Sequence, residues 1–345
     1  MVRLCFITHE NSDSLKGFDM RRTALAIFSV TLFAGCSGAG GFSSPTSISP
    51  TLSQPQSVGG SQSSSIGFAD ADAAKTGAVI VSAGDVLVYT MTGKLTARIT
   101  GMDGPQGLAV DTAGDLYIAT GTRGILVYKN DYKTLIATLL DQYPALGVAV
   151  DSTTGVVAAI NTYPSPVGNI MFYPKGASTP CANLFFKNVG GFFQGTFDKG
   201  GNLYVTANLQ SGRRVVGVIR GGCSAKALTI LSTANVLYGP WGIQITPTGK
   251  IAVADRVENE ILTYDPPGAM KDTLGKPIAT TPLGVIETNA QFAFTKNGAY
   301  LFIAGLNLDK AVKYAYPAGG NPIEYIGGRH LYGPIGLVVT PAANN

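Results

Sequence analysis

The chain has 345 residues, of which only 13% are charged, with a formal net charge of +4 and 44 glycines. Charge this sparse, with no basic run, removes the electrostatic footprint that nucleic-acid binding needs. So many glycines favour a protein of many tight turns over one of long helices.

Residues 1–19 are polar and carry Glu10, Asp13 and Asp19 ahead of a second methionine, Met20. They read as a mis-assigned leader, with translation starting at Met20. From there Met20-Arg21-Arg22 forms a positive n-region and Ala24 to Phe33 an apolar h-region too short to span a bilayer. Small residues then lead to Cys36. The string Leu32-Phe33-Ala34-Gly35-Cys36 resembles a bacterial lipobox, so residues 20–35 are expected to be a lipoprotein signal peptide. Cys36 becomes the lipidated first residue of the mature protein. An ordinary secretory peptide and a short anchor helix are the alternative readings. Residues 36–75 are rich in Ser, Pro and Gly with isolated apolar residues, too few to offset ordering, and are expected to form a disordered tether.

Residues 76–345 change character. Ala78–Val81, Val86–Tyr89 and Leu95–Ile99 are three short apolar runs. Then a phrase begins that returns at a period of about 40–50 residues, the mark of a repeat architecture. Its first copy is Gly107-Leu108-Ala109-Val110-Asp111-Thr112-Ala113-Gly114-Asp115-Leu116-Tyr117-Ile118-Ala119. Later copies turn at Asp151, Asp198, Thr246, Thr295 and, in a half-copy at the end, Thr340. Each copy continues through a second apolar run, a polar loop, a third run ending in an aromatic (Tyr128, Tyr173, Tyr264, Tyr314), and a fourth run after a Pro/Gly turn. Four short strands joined by turns predict an antiparallel blade of a β-propeller.

The turn anchors predict six inner strands. The first segment, Ala78–Ile99, has three strands and no inner one, whereas Ile335–Val339 is an inner strand alone. Together they make one blade. The expected fold is therefore all-β: a six-bladed β-propeller closed by the C-terminal strand completing the N-terminal blade.

Two cysteines remain in the repeats, Cys181 and Cys223. Both fall near the third-to-fourth-strand turn of neighbouring blades. Equivalent points near the outer edge of a six-fold ring lie beyond the roughly 7 Å Cα limit for a disulfide, which favours two unpaired thiols. No CxxC or HxxxH spacing calls for a structural metal.

The pattern Gly-x-Ala-Val-Asp-x-x-Gly-x-Leu-Tyr-x-Ala, followed by a polar loop and an Ile-x-x-Tyr strand, resembles the NHL and SMP-30-like six-bladed propellers. The resemblance implies the fold over residues 76–345; enzymes, sensors and scaffolds share it. Lactonases of the SMP-30-like kind hold a divalent metal with a glutamate in the first blade, and Lys75-Thr76-Gly77-Ala78-Val79-Ile80-Val81 contains none. Polar residues closing the second strand, Thr120, Asn161, Asn208, Asp255 and Asn307, form a candidate metal set for Ca²⁺ or Zn²⁺ at one mouth of the channel. They serve equally as turn-capping side chains, and Asp255 is the only carboxylate among them. His330 is the single histidine of the repeats, and Glu258, Glu260, Glu287 and Glu324 are scattered without a mirrored pair. No catalytic residues are therefore assigned.

Binding is easier to place. Tyr238-Gly239-Pro240-Trp241-Gly242, Tyr332-Gly333-Pro334-Ile335-Gly336 and Asp103-Gly104-Pro105-Gln106-Gly107 are matched approaches to inner strands. Trp241, Tyr238 and Tyr332 are the candidate binding residues, although Trp241 also suits a wedge between blades. The sequence thus favours a monomeric cell-envelope lipoprotein, anchored in the membrane by its lipid, periplasmic or surface-facing. Its propeller binds a protein or small-molecule ligand without cofactor or catalysis. The alternative is a divalent-metal-dependent, lactonase-like hydrolase with its site at the channel mouth.

Overall fold

The computed structural model describes residues 77–341, apart from 123, 163–167, 269–270, 286–288 and 329. The leader, the signal peptide, Cys36 and the tether lie outside the described residues.

The strands follow the repeat. The first segment gives β1 (Ala78–Ser82), β2 (Val86–Thr90) and β3 (Leu95–Ile99). Blade two is β4 (Pro105–Val110), β5 (Leu116–Thr120), β6 (Gly124–Tyr128) and β7 (Leu135–Leu139). Blade three is β8 (Ala145–Val150), β9 (Val157–Asn161), β10 (Asn169–Tyr173) and β11 (Ala182–Phe185). Blade four is β12 (Val189–Phe197), β13 (Leu203–Leu209), β14 (Arg214–Ile219) and β15 (Leu228–Thr233). The next stretch holds β16 (Pro240–Ile245), β17 (Ile251–Asp255), β18 (Glu260–Tyr264), β19 (Thr273–Gly275) and β20 (Ala279–Pro282). Blade six is β21 (Asn289–Phe294), β22 (Tyr300–Gly305), β23 (Lys310–Ala315) and β24 (Glu324–Ile326), and β25 (Gly336–Thr340) ends the series.

The clasp forms as the repeat count predicts. β25 runs antiparallel to β1, from Gly336 opposite Ser82 to Thr340 opposite Ala78, and becomes the inner strand of blade one. The Thr340 hydroxyl also accepts the Ala78 N–H at 3.0 Å. Blade five is β16-β17-β18-β20. β19 leaves it and pairs in parallel with β15, covering the outer edge of blade four as a fifth strand.

Strands such as β1, β6, β9, β17 and β25 are buried along their whole length because each sheet packs between two others. That is why they read as continuous apolar runs instead of alternating ones. The core divides into six clusters, one between each pair of neighbouring blades, including the pair formed by blades six and one. The repeat's Asp or Thr makes the turn between the first two strands. Asp111 Oδ1 accepts the N–H groups of Ala113 and Asp115, both at 2.9 Å, while Gly114 takes φ 83°. Asp198 does the same for Gly200 and Asn202, and the Thr246 hydroxyl takes the Lys250 N–H.

The cysteine expectation is overturned. Cys181 and Cys223 form a disulfide with a Cα–Cα distance of 5.4 Å. Their placement in third-to-fourth-strand connections of adjacent blades was right, but the ring argument treated those connections as equivalent points. They are not equivalent, because the β14–β15 connection carries a short 3₁₀ turn, Gly222–Ser224. Entered through positive φ at Gly221 and Gly222, it leans onto blade three, where Cys223 packs against the same core cluster as Val156 and Ala182.

Candidate functional site

Each inner strand begins at one face of the ring, here the inlet face, and ends at the turn face beside Asp111 and its counterparts. At the inlet end the pairing of first and second strands slips in blades two to six, after Pro105, Ala145, Phe192, Pro240 and Asn289. A bulge releases its residues from the ladder and re-aims them. The released residues include Gln106-Gly107, Leu146, Phe193-Gln194 and Trp241-Gly242, and they crowd the inlet rim.

Most blades place glycine at the second rim position: Gly107, Gly147, Gly242 and Gly336. A Cβ on Gly107 would stand 2.8 Å from both Gly147 Cα and the Leu146 carbonyl oxygen, so the backbones touch there. Blades four and six carry glutamine instead, and both side chains are almost wholly buried, Gln194 at 1% and Gln291 at 2% exposure. Gln291 Oε1 accepts the N–H of Leu108 at 2.9 Å and that of Leu337 at 3.1 Å, and its Nε2 donates to the Leu108 carbonyl at 2.6 Å. Gln194 Nε2 donates to the Leu146 carbonyl at 3.3 Å, whereas its Oε1 has no partner. A cavity of about 90 Å³ in the channel is lined by Gln291, Gln244, Thr196 and apolar inner-strand residues.

Hydroxyls on or just past the second strands tie neighbouring rims together. Ser82, Thr162 and Thr206 donate to the carbonyls of Gln106, Phe192 and Trp241, each in the next blade. The rim is thus fixed by polar contacts as well as by packing.

Above it lies an aromatic and cationic group. Trp241 is half-buried and stacks on Phe193 of blade four, with ring centroids 4.5 Å apart and planes at 19°. It also packs against the cluster between blades six and one, so one indole bridges the mouth. The Arg256 guanidinium lies over the Trp241 ring at 4.6 Å. The Trp241 Nε1 is buried and without a partner. The preceding loop is held at three points: Arg214 donates to the Tyr238 carbonyl, Asp255 Oδ2 accepts the Tyr238 N–H at 2.7 Å, and the Arg256 N–H reaches the Gly239 carbonyl at 3.0 Å.

The sequence-predicted residues fare differently. Trp241 and Tyr238 belong to this cluster, with Tyr238 54% exposed. Tyr332 is 81% exposed on the approach to β25 and makes no ring contact with Trp241 among the described residues. The metal set does not assemble. Opposite-strand pairing puts Thr120, Asn161 and Asp255 at one structural level, but the same level in blades four and six holds Ala207 and Gly305. Asn208 is one residue beyond it, and Asn307 lies on an exposed turn two residues past β22. Each Asp255 oxygen is engaged by backbone, Oδ2 with Tyr238 and Oδ1 with the Val257 N–H at 3.1 Å. Asn161 Nδ2 donates to Asp141 Oδ2 at 3.0 Å, and Thr120 donates to the Gly124 carbonyl. A divalent ion needs several converging oxygens, and among the described residues no cluster of three acidic, His or Cys side chains exists. The residues present do not fit such an ion. His330 is exposed on the turn before β25.

None of Gln194, Gln291, Arg214 and Arg256 was assigned to a site from sequence. Aligning the rim positions would have revealed the glutamines, since four of the repeats have glycine there. Nothing local marks the arginines, whose meeting at Trp241 is tertiary.

No protein-family model matches the chain, and no curated protein matches it. Solved structures do. A hydrazine synthase chain of Kuenenia stuttgartiensis is similar over 68% of this chain and 78% of its own, with a TM-score of 0.54 and 15% identity. A functionally unknown protein from Desulfotomaculum acetoxidans is similar over 76% of this chain and 98% of its own, with a TM-score of 0.54 and 12% identity. At these identities the likeness establishes the fold: the protein is a six-bladed β-propeller.

Proposed function

We propose that the chain is a cell-envelope lipoprotein of the NHL or SMP-30-like kind, whose propeller is a binding head without catalysis of its own. Lipidation at Cys36 and the tether of residues 36–75 hold the head near the membrane. The ligand, a small molecule or an exposed part of a protein, meets the inlet mouth around Trp241 and Tyr238. The observation that carries this reading is the state of Asp255. Its two oxygens hold the Tyr238 and Val257 backbone and so shape the loop that presents Trp241. The one carboxylate of the hydrolase alternative is thus used to build a rim.

Two assays test the reading. Purified full-length protein, given a panel of lactones with and without Ca²⁺ or Zn²⁺, is expected to show no turnover. Metal-dependent hydrolysis lost in Asp255→Ala would establish the hydrolase instead. Cys36→Ser is expected to move the protein from the membrane to the soluble fraction, and retention in the membrane would refute the lipid anchor.

A further inference from the structure

Arg256 is a positioned cation that forms no ion pair among the described residues. Its stem lies against Gly239, where an added Cβ would come within 2.7 Å of Arg256 Cγ, and its guanidinium is stacked on Trp241. Phe193 stacks on the same indole, so a phenyl ring and a guanidinium both contact the tryptophan. The guanidinium makes no ion pair or hydrogen bond among the described residues. Arg214 approaches from β14, anchored on the Tyr238 carbonyl. Burial and then Arg214 push the Arg256 pKa down, with Asp255 pulling the other way. Glu258 and Glu260 lie on the following turn and strand without pairing to either arginine. Two guanidiniums at one rim, neither in an ion pair among the described residues, suit an incoming anion, since planar N–H groups match an oxyanion's geometry. With no protein acceptor for it among the described residues, the Arg256 guanidinium keeps its N–H donors for a ligand. Close by, Trp241 Nε1 is a buried donor without a partner and Gln194 Oε1 a buried acceptor without one.

We propose that the inlet mouth recognises a ligand through an oxyanion, a carboxylate or phosphate monoester, held by Arg256 with Arg214, while the body of the ligand rests at the Trp241–Phe193 pair. This rests on the reading of the inlet as the binding face and adds the chemical class.

Trp241 is the chain's only tryptophan, so its emission reports on this site alone. Full-length protein is titrated with benzoate, phenyl phosphate, benzyl alcohol and benzylamine under indole-selective excitation. A saturable change with benzoate or phenyl phosphate is expected, absent with the amine and at least ~10-fold weaker with the alcohol. Arg256→Gln should weaken the response to the anion ~10-fold or more, a larger factor than any change in the response to the alcohol. Arg214→Met, checked by its melting curve, supplies a second variant should Arg256→Gln fail to fold. Equal response to alcohol and anion would overturn the oxyanion assignment while leaving the inlet as a binding face. No saturable response to either anion would also overturn it, and the lactone and membrane assays would stand independently.

Discussion

Gln291 Oε1 and Nε2 hold both backbone groups of Leu108, at 2.9 and 2.6 Å, so a side chain of blade six grips the inner strand of blade two across blade one. Ring closure therefore has a second fastening besides the β25–β1 pairing. Replacing Gln291 with Leu leaves the Leu108 N–H and carbonyl and the Leu337 N–H without this partner in a buried place. Such groups cost about 1–3 kcal/mol each when unpaired, and partial relaxation makes about 3 kcal/mol the expected loss. Gln194→Leu, which removes one long hydrogen bond, should cost about 1 kcal/mol. Denaturant melts of the two variants check the order; equal losses would mean the channel relaxes around either change.

The Cys181–Cys223 bridge closes a loop with a sequence separation of 42 residues between adjacent blades. Constraint of the unfolded chain by such a loop is worth about 2–4 kcal/mol. Reductant is expected to lower the melting temperature of the native protein and to leave that of the Cys181→Ser/Cys223→Ser double variant unchanged. Thiol titration of the unreduced, unfolded chain should find neither cysteine free.

Deleting residues 335–345 removes the inner strand of blade one and exposes the edge of β1. The truncated chain is expected to lose its cooperative melting transition by circular dichroism. An unchanged transition would refute the clasp.

Asp141 gives a pH-dependent prediction. Burial raises its carboxyl above the ordinary 3.8, more than its hydrogen bonds from Tyr143 and Asn161 lower it. The folded chain thus holds this proton to higher pH than the unfolded chain does, and stability falls as pH rises from 3.8 through the folded value. In Asp141→Asn the new amide can donate to the unpartnered Asn161 Oδ1 once the Asn161 amide rotates. The variant is expected to melt above the native protein at about pH 7 and level with it at about pH 3, with both proteins scanned at each pH. A variant that melts lower at neutral pH would show that the charged form is the stabilising one.

The ring was legible in the sequence because its parts are local. Asp111 and Asp198 cap turns within a few residues, the second strands open as apolar runs, and the split blade follows from counting anchors. The disulfide was misjudged because symmetry was applied to a connection that breaks it, the turn at Gly221 and Gly222. The mouth was half legible. Trp241 and Tyr238 stand out by type and by the Pro-Gly frame around them. Asn208 and Asn307 looked equivalent to Asp255, yet the second strands run on by different lengths, and only the opposite-strand register separates Ala207 and Gly305 from their neighbours. Arg256 is unremarkable in sequence and acquires its meaning from the indole beneath it.

The central claim is that Asp255 is a latch on the Tyr238 loop and the inlet a binding rim. Thermal melting of native and Asp255→Ala protein across a Ca²⁺ and Zn²⁺ titration tests it most directly. An ion bound at 100 times its Kd would add about 2.7 kcal/mol of stability. The account predicts no metal-dependent rise in either protein. It also predicts a drop for Asp255→Ala of about 2 kcal/mol at every metal concentration, from the two freed backbone N–H groups. A saturable rise in the native protein that vanishes in Asp255→Ala would contradict it.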